Sequence, residues 1–167
     1  IDSLGTAWTV SLETNTGDIV LELDGEQAPQ AVASFVMLAD DGFFDATACH
    51  RLVTGALLQC GDPTATGSGG PGYSFGPIEN APADGIYPAG TVAMARQGGD
   101  GESMGSQFFL VYEDVPLPDD VAGGYTVFGT VVQGLDVLQA IGAAGTEDST
   151  TDGRPASDVI IEKAVIS

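Results

Sequence analysis

The segment Ala48–Pro63, ACHRLVTGALLQCGDP, carries the chain's only histidine, one of its four cationic side chains and both of its cysteines. His50 and Arg51 are adjacent, and an apolar run leads from Arg51 to Gln59. No nucleophile is set there with a second base. Arginine stays charged and offers a planar fork of donors. The set raises the question of what a single arginine and a nearby glutamine do beside an apolar surface without a nucleophile. In isolation, Arg51 would read as the surface partner of one of 24 acidic side chains, and Gln59 as an exposed strand residue.

Two other motifs invite chemistry and do not sustain it. GSGGPG (Gly67 to Gly72) satisfies G-x-G-x-x-G, but a dinucleotide site needs a strand before that loop and a helix after it. Pro71 and Gly72 lead instead into YSF, which has no helical pattern, so a turn-rich loop is expected. GESMG (Gly101 to Gly105) satisfies G-x-S-x-G, whose serine belongs on a strand-to-helix turn with its histidine later in the chain. Here SQFFLVY follows as a strand pattern, and His50 comes earlier. The order His50, Asp62 and Ser103 or Ser106 matches other proteases only formally, leaving serine hydrolase as a minor alternative.

The elements that must position Arg51 and Gln59 follow from periodicity. Trp8 to Glu13 alternates, and after the turn NTGD so does Ile19 to Leu23, which reads as a β-hairpin. In APQAVASFVMLADDG the period changes: Ala28, Val32, Phe35, Val36 and Leu38/Ala39 share a helical face. Pro29 suits the first turn and Gly42 follows the end, so a helix is expected over Pro29–Asp40. Short apolar runs between glycine-rich loops then read as strands of a closed or sandwiched sheet: CHRLV, ALLQC, GTVAMAR, SQFFLVY and YTVFGTVV. GLDVLQAIGAA (Gly134 to Ala144) places Leu135, Leu138 and Ile141 on one helical face, and VIIEKAVI is a final strand. The expectation is a single, mainly β domain over residues 1–167 with two helices, whose apolar stripes would be buried by covering a barrel's ends.

Composition narrows the partners. The 167 residues suffice for one core. A net charge of −20 leaves too few Lys and Arg to meet a phosphate backbone, which argues against nucleic acid and anionic membrane surfaces. The acidity reads as solubility, or as a high-salt or cell-exterior habitat. DGEQ, ADDG and GTEDSTTDG lack the spacing of a calcium loop. No apolar run approaches the length of a membrane span. IDSLGTAW reads as a trimmed start, so a removed signal or anchor stays open.

Taken in order, TNTGDIVLEL, APQAVASFVMLADDGFFD, HRLVTGALLQCGDPTATGSGGPGYSF, PAGTVAMAR, GSQFFLVYED and GGYTVFGTVVQGLDVL resemble the cyclophilins, the peptidyl-prolyl cis-trans isomerase family. The likeness covers nearly the whole chain, and HR followed by Q-x-G-D-P, GSQFF and VFG is highly specific. It implies a closed eight-stranded antiparallel β-barrel capped by two α-helices, with a groove on its outer surface. It also implies a non-covalent reaction needing no metal or other cofactor. The implied partners are proline-containing peptides and unfolded or flexible protein segments.

Carried over residue by residue, the resemblance makes Arg51 the catalytic arginine and Gln59 the glutamine that bonds it and the substrate. Phe109 and Leu57 become walls of the proline pocket, and Gln107 a polar groove residue. Ala95 and Arg96 fall in the segment that pairs with substrate backbone, and Gly67 in the flanking loop. His50 reads as structural. Three departures stand out. Ala56 replaces a common pocket phenylalanine, and Tyr125 replaces a pocket histidine. YEDVPLPDD has no counterpart of the tryptophan tied to cyclosporin binding, the only tryptophan being Trp8. Cyclosporin binding is therefore expected to be weaker than in typical members. RQGGDGESM is longer than the usual version of that loop. Ala56 keeps a second reading open, a proline-loop-binding module with little turnover.

If CHRLV and ALLQC pair antiparallel, Cys49 and Cys60 lie near the open end as neighbours, and a disulfide is expected over two buried thiols. A bridge implies a place outside the cytoplasm, such as the cell envelope, with the cytoplasm left open. A monomer is expected, since no sequence feature marks a partner face.

Overall fold

The two alternating stretches fold back on one another. In a computed structural model describing residues 7–167, β1 (Ala7–Thr14) pairs antiparallel with β2 (Gly17–Asp24) across Asn15 and Thr16. Residues 1–6, part of the stretch IDSLGTAW, lie outside the described residues. Helix α1 (Pro29–Asp40) has the expected bounds, with proline in its first turn, and buries Val32, Phe35, Val36 and Leu38. Just past its end Gly42 takes φ 76°, a left-handed conformation that suits glycine.

The next strands are short: β3 (Thr47–Ala48), β4 (Arg51–Val53), β5 (Leu57–Cys60), β6 (Ile86–Tyr87), β7 (Thr91–Met94), β8 (Phe108–Val111) and β9 (Val115–Pro116). Then come β10 (Val127–Gln133), α2 (Leu135–Ala144), β11 (Asp152–Gly153) and β12 (Ile160–Ile166). The second helix turns Leu138 and Ile141 into the core, with Leu135 partly buried against it.

All pairings are antiparallel, and the main sheet is strongly curled, in the order β11-β4-β5-β8-β7-β10-β2-β1-β12-β3. This corrects the expectation of a closed eight-stranded barrel. Among the described residues ten strands take part, the ladder has two ends, and β6 and β9 form a ribbon of their own. The reason lies in Thr47–Val53. Its first half pairs with β12 and its second half with β5, so the chain runs from one end of the sheet to the other while the ladder breaks between.

Alternation divides the apolar side chains. Inside the curl, Phe35 and Phe44 stack at 4.8 Å and Phe108 meets Phe35 edge-on at 5.1 Å. On the opposite face a smaller cluster holds Ala56, Leu57, Tyr87, Ala93, Phe109 and Val111, with Tyr125 packed against it. That outer cluster positions the site.

Candidate active site

Register places the key residues in one row. Arg51 on β4 lies opposite Gln59 on β5, Gln59 opposite Phe109 on β8, and Phe109 opposite Ala93 on β7. Directly opposed residues share a face of the sheet. Leu57, two residues before Gln59, points the same way. A positive fork, an amide and an apolar wall thus follow one another across the outer surface.

Hydrogen bonds fix the polar end. Arg51 Nη1 donates to Gln59 Oε1 at 3.2 Å, and Gln59 Nε2 donates to Gln107 Oε1 at 2.8 Å. Gln107 Nε2 in turn donates to the carbonyls of Gly67 and Gly69, at 2.9 and 3.0 Å. Arg51 also donates through Nε and Nη2 to the two carboxylate oxygens of Asp152, at 2.9 and 2.8 Å. The hydrogen bond to Asp152 raises the Arg51 pKa, and the same contact lowers that of Asp152. The guanidinium stays fully charged at any pH of interest.

The apolar end is a shallow wall. Phe109 is 3% exposed and meets Tyr125 edge-on, with ring centroids 5.4 Å apart. Buried Tyr87 accepts a hydrogen bond from the Tyr125 N–H at 2.8 Å. Leu57 and Ala56 belong to the same cluster. Beside this wall opens a cavity of about 460 Å³ bordered by Gln59, Gly67, Ala95, Arg96 and Gln107. Leu57, Phe109 and Tyr125 lie outside that cavity, so the wall and the cavity are neighbouring parts of one groove.

Arg96 contributes in an unexpected way. Its side chain is 1% exposed and donates to Asp120 and to the carbonyls of Gln97, Gly123 and Gly124. The same guanidinium lies 4.8 Å from the Tyr125 ring centroid, within cation–π range. It therefore props up the Tyr125 end of the wall. Ala95 is tied to the sheet by its N–H, which donates to the Gln107 carbonyl at 3.0 Å.

The serine motif makes no hydrolase site. Ser106 Oγ donates to the Gly61 carbonyl and Ser103 Oγ to that of Asp100. The expected disulfide joins Cys49 and Cys60, both buried, with Cα atoms 4.0 Å apart.

Sequence reading missed two residues, and gave a third, Asp62, only a place in the serine-hydrolase alternative. Asp152 arrives from a loop read only as acidic. Tyr87, fully buried behind Tyr125, stood in a stretch with no pattern. Asp62, also fully buried, accepts N–H bonds from Thr64, Thr66, Gly67 and Gly69 and so shapes the glycine-rich loop. Burial acts to raise its pKa, but these bonds and the Thr64 hydroxyl outweigh it and hold the carboxyl well below its ordinary range. A Cβ at Gly69 would collide with the Asp62 carboxylate, which explains a glycine at that close approach. The Asp in Q-x-G-D-P was the available signal.

A curled antiparallel sheet with two helices, carrying an arginine beside an apolar wall on its outer face, defines a cyclophilin-like class of protein. The family model for the cyclophilin type peptidyl-prolyl cis-trans isomerase matches residues 9–166, and the chain belongs to that family. A Mycobacterium tuberculosis protein named probable peptidyl-prolyl cis-trans isomerase B is 45% identical over 174 residues, covering 95% of this chain and 54% of the relative. The chain thus spans about half the length of that curated relative. A solved cyclophilin type isomerase from Cryptosporidium parvum superposes with a TM-score of 0.84 at 31% identity, covering 97% of this chain and 98% of its own. The same protein, solved in the presence of the dipeptide Ala-Pro, gives 0.82 at 31% identity and covers 95% and 98%.

Proposed function

We propose that this chain accelerates cis–trans rotation about X-Pro peptide bonds without covalent chemistry. The observation that carries the reading is the row Arg51–Gln59–Phe109, a fixed cationic donor beside an apolar wall. Amide resonance sets a rotational barrier of ~18–20 kcal/mol, and uncatalysed X-Pro exchange takes tens to hundreds of seconds. At about 90° of twist the nitrogen lone pair is released from that resonance. Arg51 donating to that nitrogen binds the twisted amide more strongly than the planar one. Each 1.36 kcal/mol of that preference gives about tenfold in rate.

Leu57, Phe109 and Tyr125 hold the pyrrolidine ring and keep water away. Gln59 orients the guanidinium, while Gln107, Ala95 and Gly67 line the path of the flanking backbone. The substrates proposed are exposed proline-containing segments of flexible or unfolded chains, and the Ala-Pro dipeptide named with the Cryptosporidium relative supports this class. The disulfide supports a place outside the cytoplasm, where such a helper would meet folding chains.

NMR exchange on a short Ala-Pro peptide tests the proposal. Wild type should broaden the cis and trans signals at catalytic concentration, and Arg51→Ala should lose most of that effect while keeping its fold. Equal exchange with both proteins removes Arg51 from its role. Peptide binding without faster exchange favours the module reading, which rests on Ala56, a small side chain in the outer cluster where the resemblance expects a phenylalanine.

A further inference from the structure

Arg51 has five N–H donors, and three of them are already engaged: Nε and one on Nη2 by Asp152, one on Nη1 by Gln59. One N–H remains on each terminal nitrogen. The Nε–Nη2 edge is closed by a two-point carboxylate clamp, which leaves the two terminal nitrogens to face a substrate amide.

The clamp is built into the fold. β11 consists of Asp152 and Gly153, and its register sets Asp152 opposite Val53 and Gly153 opposite Leu52. Val53 and Arg51 share a face, so Asp152 is the diagonal neighbour of Arg51 across the strand pair. The loop that delivers it is braced from within and by the turn after β4. Thr146 Oγ1 donates to the Thr150 carbonyl at 2.6 Å, Thr150 Oγ1 donates to Asp148 at 2.8 Å, and Thr54 N–H donates to the Thr151 carbonyl at 3.0 Å. Arg51 and Asp152 are nearly half exposed, at 46% and 49%. A pair so wetted adds little stability. Its two-point geometry instead fixes the guanidinium plane, which a single hydrogen bond from Gln59 does not.

We infer that Asp152 is a positioning residue for the isomerase reaction, holding Arg51 by its Nε–Nη2 edge so that its remaining donors meet the twisted amide in one orientation. This rests on the isomerase reading given above. A mobile guanidinium would still attract a peptide, so loss of the clamp should act on turnover rather than on binding.

The test uses the whole chain with wild type, Asp152→Ala and Asp152→Asn. The asparagine variant keeps the shape and one acceptor, so it guards against collapse of β11. The sequence has three arginines, so their side-chain Nε–H signals can be followed separately in 15N-labelled protein, with the buried Arg96 as internal reference. The Arg51 Nε–H should exchange with water about tenfold faster in Asp152→Ala, with Asp152→Asn between, while Arg96 stays put. On the Ala-Pro peptide, kcat should fall roughly tenfold in Asp152→Ala and KM change by less than about twofold. An Arg51 signal indifferent to both substitutions overturns the inference. So does a kcat that is unchanged or raised once the Arg51 signal has moved. If wild type turns over no peptide while the signal responds, the isomerase reading falls and the positioning of Arg51 stands.

Discussion

The disulfide between Cys49 and Cys60 joins the two segments that carry Arg51 and Gln59. Cys49 stands two residues before Arg51, and Cys60 directly follows Gln59. The bridge sits on the inner face, where both sulfurs are buried in the core, while the arginine–glutamine pair works on the outer face. It therefore spans the place where the ladder passes from β12 to β5. Register between β4 and β5 is guarded there by a covalent tie, since only three residue pairs hold these strands together.

Replacing both cysteines by alanine should accordingly cost about 2–4 kcal/mol of stability, read from urea denaturation. Turnover of folded protein should fall as well, since the Arg51–Gln59 bond loses its nearest constraint. A double variant as stable as wild type would show that the bridge has no part in holding the curl.

Arg96 offers a second test. Its buried guanidinium satisfies the carbonyls of Gln97, Gly123 and Gly124 and pins the loop through Asp120. Arg96→Met fills similar space without the donors and should lower Tm by roughly 5–10 °C. Peptide KM should rise too, because Tyr125 loses the cation against its ring. A near-unchanged Tm with intact peptide affinity would mean that the Arg96 bonds hold up neither the loop nor the Tyr125 wall.

How far these features were legible in the sequence depends on their range. Helix α1 announces itself through Pro29 and a 3.6-residue apolar period, and the hairpin through alternation on both sides of Asn15 and Thr16. β3, β6, β9 and β11 are two residues each, too short to carry any period. The row Arg51–Gln59–Phe109 was legible because motif spacing preserves cross-strand register. Asp152 was not, since its partner lies 101 positions earlier and only the pairing of β11 with β4 brings them together. The break in the barrel ladder was hidden for a like reason. CHRLV reads as one strand, whereas its first two residues leave β12 and only its last three pair with β5.

Asp62 should be a sensitive position. Its carboxylate accepts from four backbone N–H groups, and an asparagine there would present donors to some of them. Asp62→Asn should cost about 2–3 kcal/mol, the penalty of leaving buried donors unmet. The loop that carries Gly67 and Gly69 should loosen with it and weaken the Gln107 end of the groove. The measurement is Tm together with peptide KM. Unchanged values for both would mean that the loop holds its shape without the carboxylate.

His50 gives the protein a pH dependence of definite sign. Its side chain lies beside Gly67, and its buried Nδ1 has no hydrogen-bond partner among the described residues. Burial lowers its pKa from 6.5, Asp62 works against that shift, and Arg154 and Arg51 add to it. The folded state then binds the proton less readily than the unfolded chain. Stability from the neutral ring is complete above 6.5 and is lost as pH falls from there towards the folded pKa. Loss of carboxylate repulsion on acidification acts on every variant alike, so a difference isolates the histidine. Between about pH 7.5 and pH 5 wild type should lose urea resistance relative to His50→Gln, which cannot titrate there. A constant gap between the two proteins across that range, or a gain for wild type, would mean that the imidazole takes up its proton in the folded state without penalty.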